Sequence, residues 1–508
     1  MTWIACALIV GQMTGVAAPS QHPQPVARSG SILVRLTVVA RDHRGAFVGS
    51  LTADDFKVSE DGKPVTASFF TEVTGAPAVS SAPTTTVPTG AFSNLAAATA
   101  APNVTVILFD RLNTKWEDQA RAREQLKTFF AKLRPDDRVA VYALDDTALR
   151  VIHDFTSDAS ALVRAISDNA RPDSPAAELQ TAAPANLADE YVNQLSRTTA
   201  LTTFTALETI GQHLAGIPGR KNLVWVSNAF PIPPNAEYNR TQEIERAARS
   251  LNTANISLYG IDTRGLIGAV RMTATSDTFV SMNTVNGNHE VIEALTERTG
   301  GRAFFNNNDT AGSVRRAIDD SEHHYEFDYY SPASTPDDRY RVISAVVKKS
   351  GVDLQYRRGY FATLAAAPGG DRKTILERTL ANPLDATGIL LDVTPTPRPN
   401  GMELAIHADA GNLAFLNRAG VWSDALDLAI AQLRDDGTST IDVDTTITLH
   451  LNEGQHHTII SNGLTITKTI VVLADTSRVV VVVRDAATGA VGSVVISAAS
   501  LRGASQSP

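Results

Sequence analysis

Asp110 is the residue of this chain with the clearest potential for chemistry. It ends an apolar run, Val104–Phe109, and is followed by Asn113, Thr114 and a long amphipathic segment. A continuous apolar run of this length is typical of a buried parallel strand. A carboxylate at the carboxyl end of such a strand lies where open α/β sheets bind ligands. The sequence therefore predicts a parallel sheet and a ligand site at one edge of it.

Several kinds of enzyme place catalytic groups in comparable positions, and the sequence lacks their signatures. A phosphotransfer enzyme of the haloacid dehalogenase type needs a second aspartate two residues after the first, where this chain has Leu112. No glycine-rich phosphate loop follows the strand, and the chain has no Gly-x-Ser-x-Gly elbow or His-Glu-x-x-His motif. These observations argue against an enzyme. A hydrolase with an unrecognised site is the alternative.

Three other polar clusters are weaker candidates. His323 and His324 are adjacent in a predicted strand, so they point to opposite faces and make a poor pair of metal ligands. The pair at 456–457 is predicted to lie in a polar loop. Arg220 and Lys221 are predicted to form a solvated basic turn that could contact a partner.

The elements that position Asp110 follow from the hydrophobic periodicity. Between 104 and 321, apolar strands alternate with amphipathic helices, which predicts an α/β domain whose parallel-type sheet has helices on both faces. Short strands on either side of this domain, at 31–73 and 322–362, are expected to pair with each other as one small β unit. Residues 385–500 are predicted to form an antiparallel β-sandwich, because short strands alternate there with turn signals.

Two connecting segments complete this organisation. Residues 74–103 are rich in Ala, Thr, Pro and Ser, so they are predicted to be a disordered linker. Residues 363–384 are predicted to be a linker that contains a helix.

Length, charge and the first residues place the chain in a broad class. A chain of 508 residues suggests about three domains. The net charge of −9 argues against a nucleic-acid binder. Residues 1–18 resemble a secretory signal peptide and contain the sole cysteine, Cys6, and residues 19–30 are predicted to be flexible. The predicted location is therefore secreted, periplasmic or in the cell envelope, with no transmembrane segment beyond the signal peptide.

Four stretches carry a resemblance to a known family. Phe109–Thr114, Gly219–Ser227, Thr335–Val347 and Asp353–Phe361 resemble the von Willebrand factor type A family, and most closely its VWFA-related branch of secreted acidobacterial proteins. The resemblance covers roughly 30–362, and the segment after 385 is also similar to the usual C-terminal region of this branch. It implies a Rossmann-like domain used for protein binding through a metal-ion-dependent adhesion site.

That adhesion site holds Mg²⁺, or a similar ion such as Mn²⁺ or Ca²⁺, with oxygen ligands from three loops. The resemblance places Asp110 at the first aspartate of the site and Thr114 at its second serine. It places Thr202, or Thr203 one residue later, at the threonine from the second loop.

Two positions depart from this pattern, so the site is degenerate. Leu112 stands at the first serine and cannot bind an ion, and Asn228 stands at the final aspartate without its charge. Asn113 could supply an additional oxygen. Fewer charged oxygens predict weaker binding of a cation.

The same residues also have a structural interpretation, in which Asp110 and Thr114 cap the following helix. We expect an exported, non-enzymatic interaction protein that binds a protein partner at the top of its α/β domain. A purely structural envelope protein with a vestigial site is a further alternative.

Overall fold

The computed structural model describes residues 32–75, 90–94, 104–146, 149–169, 189–217, 219–228, 240–264, 289–333, 337, 339–362, 372–382, 384–411 and 413–504. The predicted signal peptide at 1–18 and the flexible segment at 19–30 lie outside these residues. The first part of the chain forms strands β1 (Leu33–Asp42), β2 (Phe56–Glu60), β3 (Lys63–Val65), β4 (Phe69–Thr74) and β5 (Phe92–Ser93).

The central part forms β6 (Val104–Asp110), α1 (Trp116–Phe130), β7 (Arg138–Leu144), β8 (Leu149–Thr156), α2 (Ala159–Asp168), α3 (Asp189–Leu214), β9 (Lys221–Ser227), α4 (Arg240–Thr253), β10 (Ile256–Asp262), α5 (289–299), β11 (Arg302–Phe304) and α6 (Thr310–Glu322). The last part forms β12 (His323–Tyr330), β13 (Tyr340–Val347), β14 (Val352–Gln355), β15 (Gly359–Phe361), α7 (Arg372–Ala381), β16 (Leu391–Arg398), β17 (Gly401–Ala408), β18 (Leu416–Arg418), β19 (Val421–Leu433), β20 (Ser439–Leu451), α8 (Glu453–Asn462), β21 (Leu464–Ile470), β22 (Arg478–Asp485), β23 (Val491–Ser497) and α9 (Ala498–Ala504).

A six-stranded, mostly parallel sheet in the order β11-β10-β9-β6-β7-β8 forms the centre of the α/β unit. Strands β11, β10, β9, β6 and β7 are parallel, and the edge strand β8 is antiparallel to β7. This strand order is that of a doubly wound sheet, whose order reverses between β6 and β9. The prediction of a mixed α/β fold with a mostly parallel sheet is confirmed.

Helices cover both faces of this sheet because successive residues of each strand point to opposite sides. Leu108 packs against α3, α4 and α5 on one face, where Phe204 and Leu207 belong to the same core. Phe109 packs against α1, α2 and α6 on the other face, with Leu126 among its neighbours in the core. The alternation along β6 therefore directs Asp110 to the α3 side.

The flanking β unit consists of two four-stranded sheets, β14-β1-β12-β4 and β15-β13-β2-β3. Strand β1 pairs with β12 and β2 pairs with β13, so strands before and after the α/β unit share the same sheets. Glu60 is buried between the sheets and accepts hydrogen bonds from the hydroxyls of Tyr329 (2.9 Å) and Tyr360 (3.0 Å). A buried carboxylate that sequence analysis did not single out thus joins the tyrosines of this unit.

The C-terminal unit is an antiparallel sandwich, and both predicted linkers contribute to it. Within 74–103, strand β5 pairs with β16, and the buried Asn94 side chain donates to Ala386 O at 2.7 Å and to Ile389 O at 2.9 Å. The prediction of a disordered linker is therefore wrong for 92–94, because these residues complete the edge of a sheet. Residues 76–89 and 95–103 lie outside the described residues. Ile375 of α7 packs into the sandwich core, so this helix is part of the domain.

In the described part of the chain, every helix is too short or too polar to cross a lipid bilayer.

Candidate functional site

The candidate site lies at the carboxyl edge of the six-stranded sheet, where the strand order reverses. Phe109 of β6 is aligned with Val226 of β9, so Asp110 lies beside Ser227 and one residue from Asn228. In doubly wound sheets this reversal opens the crevice that binds ligands. The topology thus places Asp110 and Asn228 together, as the resemblance implies.

Asp110 is fully buried and accepts four hydrogen bonds. Its Oδ1 accepts from the backbone N–H of Asn113 at 3.0 Å. Its Oδ2 accepts from Asn113 Nδ2 at 2.8 Å, Trp225 Nε1 at 2.9 Å and Ser227 Oγ at 2.8 Å. Burial raises the pKa of Asp110, while these hydrogen bonds act to lower it. The carboxylate is therefore the acceptor at the centre of a network that joins β6, the following loop and β9.

Of the two threonines that the resemblance left open, Thr203 reaches this network and Thr202 does not. Thr203 is buried, accepts a hydrogen bond from Asn113 Nδ2 at 2.9 Å and donates one to Thr199 O at 2.9 Å. Thr202 Oγ1 instead donates to Thr198 O on the outer side of α3. Both threonines lie inside a helix, where consecutive residues point about 100° apart, so only one of them can face the site.

Thr114 and Asn228 form a second connection across the same crevice. Thr114 Oγ1 accepts a hydrogen bond from the backbone N–H of Asn228 at 3.0 Å. The Nδ2 of Asn228 donates to Asp118 Oδ2 at 2.9 Å. These contacts hold the β9 end against the first turn of α1.

The helix-capping interpretation of Asp110 and Thr114 is wrong. The residue that caps α1 is Lys115, and no side chain makes a capping hydrogen bond there. Asp110 and Thr114 instead accept N–H groups from the loop and from β9, because the chain turns through Asn113 before the helix begins.

The five residues proposed as ion ligands do not form an oxygen cage as they are arranged. Mg²⁺ requires about six oxygen ligands at about 2.0–2.1 Å, each with a lone pair directed at the ion. Both oxygens of Asp110 face N–H or O–H donors, Thr202 points elsewhere, and Thr114 Oγ1 faces a backbone N–H. Asn113 and Asn228 direct their NH₂ groups into the network, and their Oδ1 atoms are buried without a hydrogen-bond partner. Two neutral amide oxygens fit a divalent cation poorly, so the geometry favours a site that works without one.

No group of three or more His, Cys, Asp or Glu side chains suited to a metal ion occurs among the described residues.

Carboxylates at the ends of the neighbouring strands are held in ion pairs. After β7, Asp145 pairs with Arg111 at 2.5 Å and with Arg150 at 2.8 Å. At the end of β10, Asp262 pairs with Arg264 at 2.6 Å and lies 3.1 Å from His289 Nε2. The edge is thus polar, with its strand-end charges locally compensated.

An exposed aromatic residue, Trp116, begins α1 directly after the loop of this network. This residue is 37% exposed, and the guanidinium of Arg123 lies 5.2 Å from the ring centroid. Nearby, Arg121 pairs with Asp118 at 3.1 Å and donates to Thr263 O at 3.2 Å. The first two turns of α1 therefore carry an exposed aromatic ring, Trp116, and an exposed cation, Arg121, at different positions around the helix.

Sequence analysis did not identify Trp225 and Ser227 as site residues, although both lie in a segment that carries the resemblance. Their separation by two positions in β9 places them on one face of the strand. That spacing, combined with the position of Asp110 at the end of a neighbouring strand, could have identified Trp225 and Ser227 as site residues.

The other predicted clusters have different environments from those expected. Arg220 and Lys221 are each 2% exposed, so the prediction of a solvated turn is wrong. Burial lowers the pKa of Lys221 to about 7, and its Nζ donates to Gly219 O at 3.1 Å. His324 is buried, which lowers its pKa, and the histidines at 456–457 lie in α8 and not in a loop.

No family model and no curated protein matches the sequence. Among solved structures, the chain is similar to the SpRpn10 VWA domain, with 12% identity, a TM-score of 0.20, and coverage of 40% of this chain and 87% of that one. It is also similar to the TFIIH p34 N-terminal domain, with 14% identity, a TM-score of 0.21, and coverage of 42% and 96%. The pilus adhesin SpaC from Lactobacillus rhamnosus GG aligns with 9% identity, a TM-score of 0.26, and coverage of 79% and 54%. TM-scores of this size do not establish a shared fold, so membership of a family stays a proposal.

Proposed function

We propose that this chain is an exported, non-enzymatic interaction protein of the von Willebrand A type. A protein partner binds at the carboxyl edge of the six-stranded sheet, and Asp110 acts as a positioning residue that holds this surface. The observation that carries the proposal is the exposed Trp116, which directly follows a loop fixed by a buried hydrogen-bond network.

Trp116 and its surroundings have the chemistry of a binding hot spot. Tryptophan and arginine are enriched among the residues that contribute most to protein interfaces. Trp116 offers a large apolar ring, and Arg121, five residues further along α1 with a side chain that is 51% exposed, offers hydrogen-bond donors. A partner with an apolar side chain next to a carboxylate would complement this surface.

The network in the loop before Trp116 reduces the cost of binding. Ordering a loop when a complex forms weakens affinity, and a loop that is already ordered avoids this cost. Asp110 fixes Asn113, while Thr114 fixes the β9 end, so the chain enters α1 in one conformation. Asp110 therefore supports binding through the shape of the surface and not through direct contact.

The same contacts support a non-enzymatic role. A general base must be able to reach the proton that it removes. At the carboxyl edge of the six-stranded sheet, Asp110, Asp145 and Asp262 are already engaged by internal donors or ion pairs.

The experiment compares capture of a partner by four full-length chains used as bait against an envelope extract. Trp116→Ala is tested against Phe69→Ala, a matched control on β4 whose side chain is 50% exposed. The fourth chain, Arg121→Ala, tests the cationic part of the surface. We expect one protein to be retained by the unaltered chain and by Phe69→Ala. We expect the amount of this protein retained by Trp116→Ala to be at least tenfold lower, since truncating a hot-spot residue costs about 2 kcal/mol or more of binding free energy.

Equal retention by Trp116→Ala and Phe69→Ala would contradict the proposed surface. Sequencing the amino terminus of the mature protein tests export, which predicts removal of roughly the first 18 residues.

A further inference from the structure

A small polar cleft lies at the opposite end of the six-stranded sheet, between the α/β unit and the flanking β unit. The α/β unit contributes Arg220, before β9, and the segment around Asn255 and Ser257 at the start of β10. The β unit contributes Arg35 from β1 and Arg357 from the turn between β14 and β15. The cleft is therefore assembled by two units and is separate from the edge that carries Asp110.

Three arginines and no carboxylate line this cleft. Arg220 is 2% exposed; its Nη2 donates to Tyr259 OH at 2.9 Å, and its Nε is buried without an acceptor. Arg357 donates from Nη2 to Arg35 O at 2.5 Å, and its Nε is also buried without an acceptor. In the described part of the chain, neither Arg220 nor Arg357 has a carboxylate within ion-pair distance.

Nearby acids compensate this charge only in part. Arg35 contacts Asp328 at 3.4 Å, and its side chain is 54% exposed. Asp320, which accepts from Tyr259 OH at 2.9 Å, is also paired with Arg41. Burial lowers the pKa of Arg357, as expected for a cation removed from water without a full counter-charge.

The backbone is shaped so that Arg357 reaches the cleft. Gly300 has a φ of +77°, and a Cβ at this position would lie 2.7 Å from Arg357 N. Arg358 N donates to Glu297 O at 3.0 Å, so the turn is held against the end of α5. Glycine at 300 thus permits the close approach of the two units that places Arg357 beside Arg220.

We infer that this cleft binds a small oxyanion of the phosphate class, held between the guanidiniums of Arg220 and Arg357, with Arg35 at its mouth. Guanidinium N–H groups match the geometry of phosphate oxygens, and such charge-assisted hydrogen bonds are strong. The anion would satisfy both buried Nε–H groups and would connect the α/β unit to the β unit. Because the ligand binds only the folded chain, it would also raise the stability of this junction.

The test is a calorimetric titration of the full chain with inorganic phosphate at constant ionic strength, with chloride as the balancing anion. We expect saturable binding that is at least tenfold weaker in Arg357→Gln and in Arg220→Gln. The matched control is Arg339→Gln, which makes the same charge change at a side chain that is 79% exposed and should bind as the unaltered chain does. Arg357→Gln keeps the test decisive if removal of the buried Arg220 prevents folding.

Parallel titrations with glycerol 3-phosphate and sulfate identify the source of the anion. Tighter binding of glycerol 3-phosphate would assign the site to a phosphate ester, and tighter binding of inorganic phosphate or sulfate would assign it to a free oxyanion. Absence of saturable binding for all three ions, or undiminished binding in Arg357→Gln, would overturn the inference. Either result is independent of partner binding at Trp116.

Discussion

The indole Nε1 of Trp225 donates a hydrogen bond to Asp110 Oδ2 at 2.9 Å, which links two parallel strands across the point where the strand order reverses. Trp225 is 1% exposed and Asp110 is fully buried, so this bond forms away from water. Both oxygens of this buried carboxyl group accept hydrogen bonds from donors of the protein itself. The resemblance suggested an ion ligand at Asp110, and the geometry instead indicates a residue that orders the site.

Replacing Trp225 with Phe should lower the free energy of unfolding by about 1–3 kcal/mol. The change removes one donor from a buried acceptor while keeping an aromatic ring in the core. Chemical denaturation measures the difference. Trp422→Phe is the control, since its indole bond reaches a glutamate, Glu453, at an exposed position, and it should cost less than about 1 kcal/mol. Equal losses in the two variants would contradict the importance of the Asp110 bond.

The adjacent threonines of α3 provide a matched pair for the same network. Thr203→Val should cost about 1–2 kcal/mol, because the Nδ2 of Asn113 loses one of its two acceptors in a buried setting. Thr202→Val should change stability by less than about 0.5 kcal/mol, since its hydroxyl bonds only the preceding turn of its own helix. Both are measured by thermal and chemical unfolding. A larger effect at Thr202 would assign the site threonine to Thr202 in place of Thr203.

Asp385, which precedes the C-terminal sandwich, should make stability depend on pH. Burial raises the pKa of Asp385 from 3.8 to about 6, although the N–H of Val495 donates to its Oδ1. The folded chain therefore binds this proton more tightly than the unfolded chain does. Its contribution is full below pH about 4 and is lost as the pH rises to about 6.

Asp385→Asn keeps an acceptor for Val495 but cannot ionise. Relative to the unaltered chain, this variant should be more stable by about 3 kcal/mol at pH 8 and equal to it near pH 3. Unfolding curves collected between pH 3 and 8 measure this difference. Asp435→Asn, at an exposed position, makes the same charge change as a control. A constant difference across the pH range would show that the effect does not come from ionisation.

Much of the architecture could be predicted because periodicity reports burial. The apolar run before Asp110 indicated a strand buried on both faces, and the alternation of strands and helices indicated a parallel-type sheet. Strand β5 was missed because it contributes two residues, Phe92 and Ser93, within a segment of small and polar residues. Too few residues are present there for an alternating pattern to appear.

The site was harder to predict because burial does not reveal hydrogen-bond partners. Trp225 has the pattern of an ordinary core residue, and only the alignment of β9 with β6 brings its indole to Asp110. The choice between Thr202 and Thr203 depended on the rotation of α3, which a loose resemblance does not define. Arg220 and Lys221 were expected in solvent because charged residues are seldom buried, and here both are.

The central claim is that Asp110 organises the binding surface as a hydrogen-bond acceptor and not as an ion ligand. Its most direct test is a calorimetric titration of the full chain with Mg²⁺ and Mn²⁺, beside Asp110→Asn and Thr114→Val, with circular dichroism to verify that each variant folds. We predict no saturable binding at millimolar metal that depends on either residue. Saturable binding by the unaltered chain that a folded Asp110→Asn or Thr114→Val variant abolishes would contradict the account and establish an ion site at this edge.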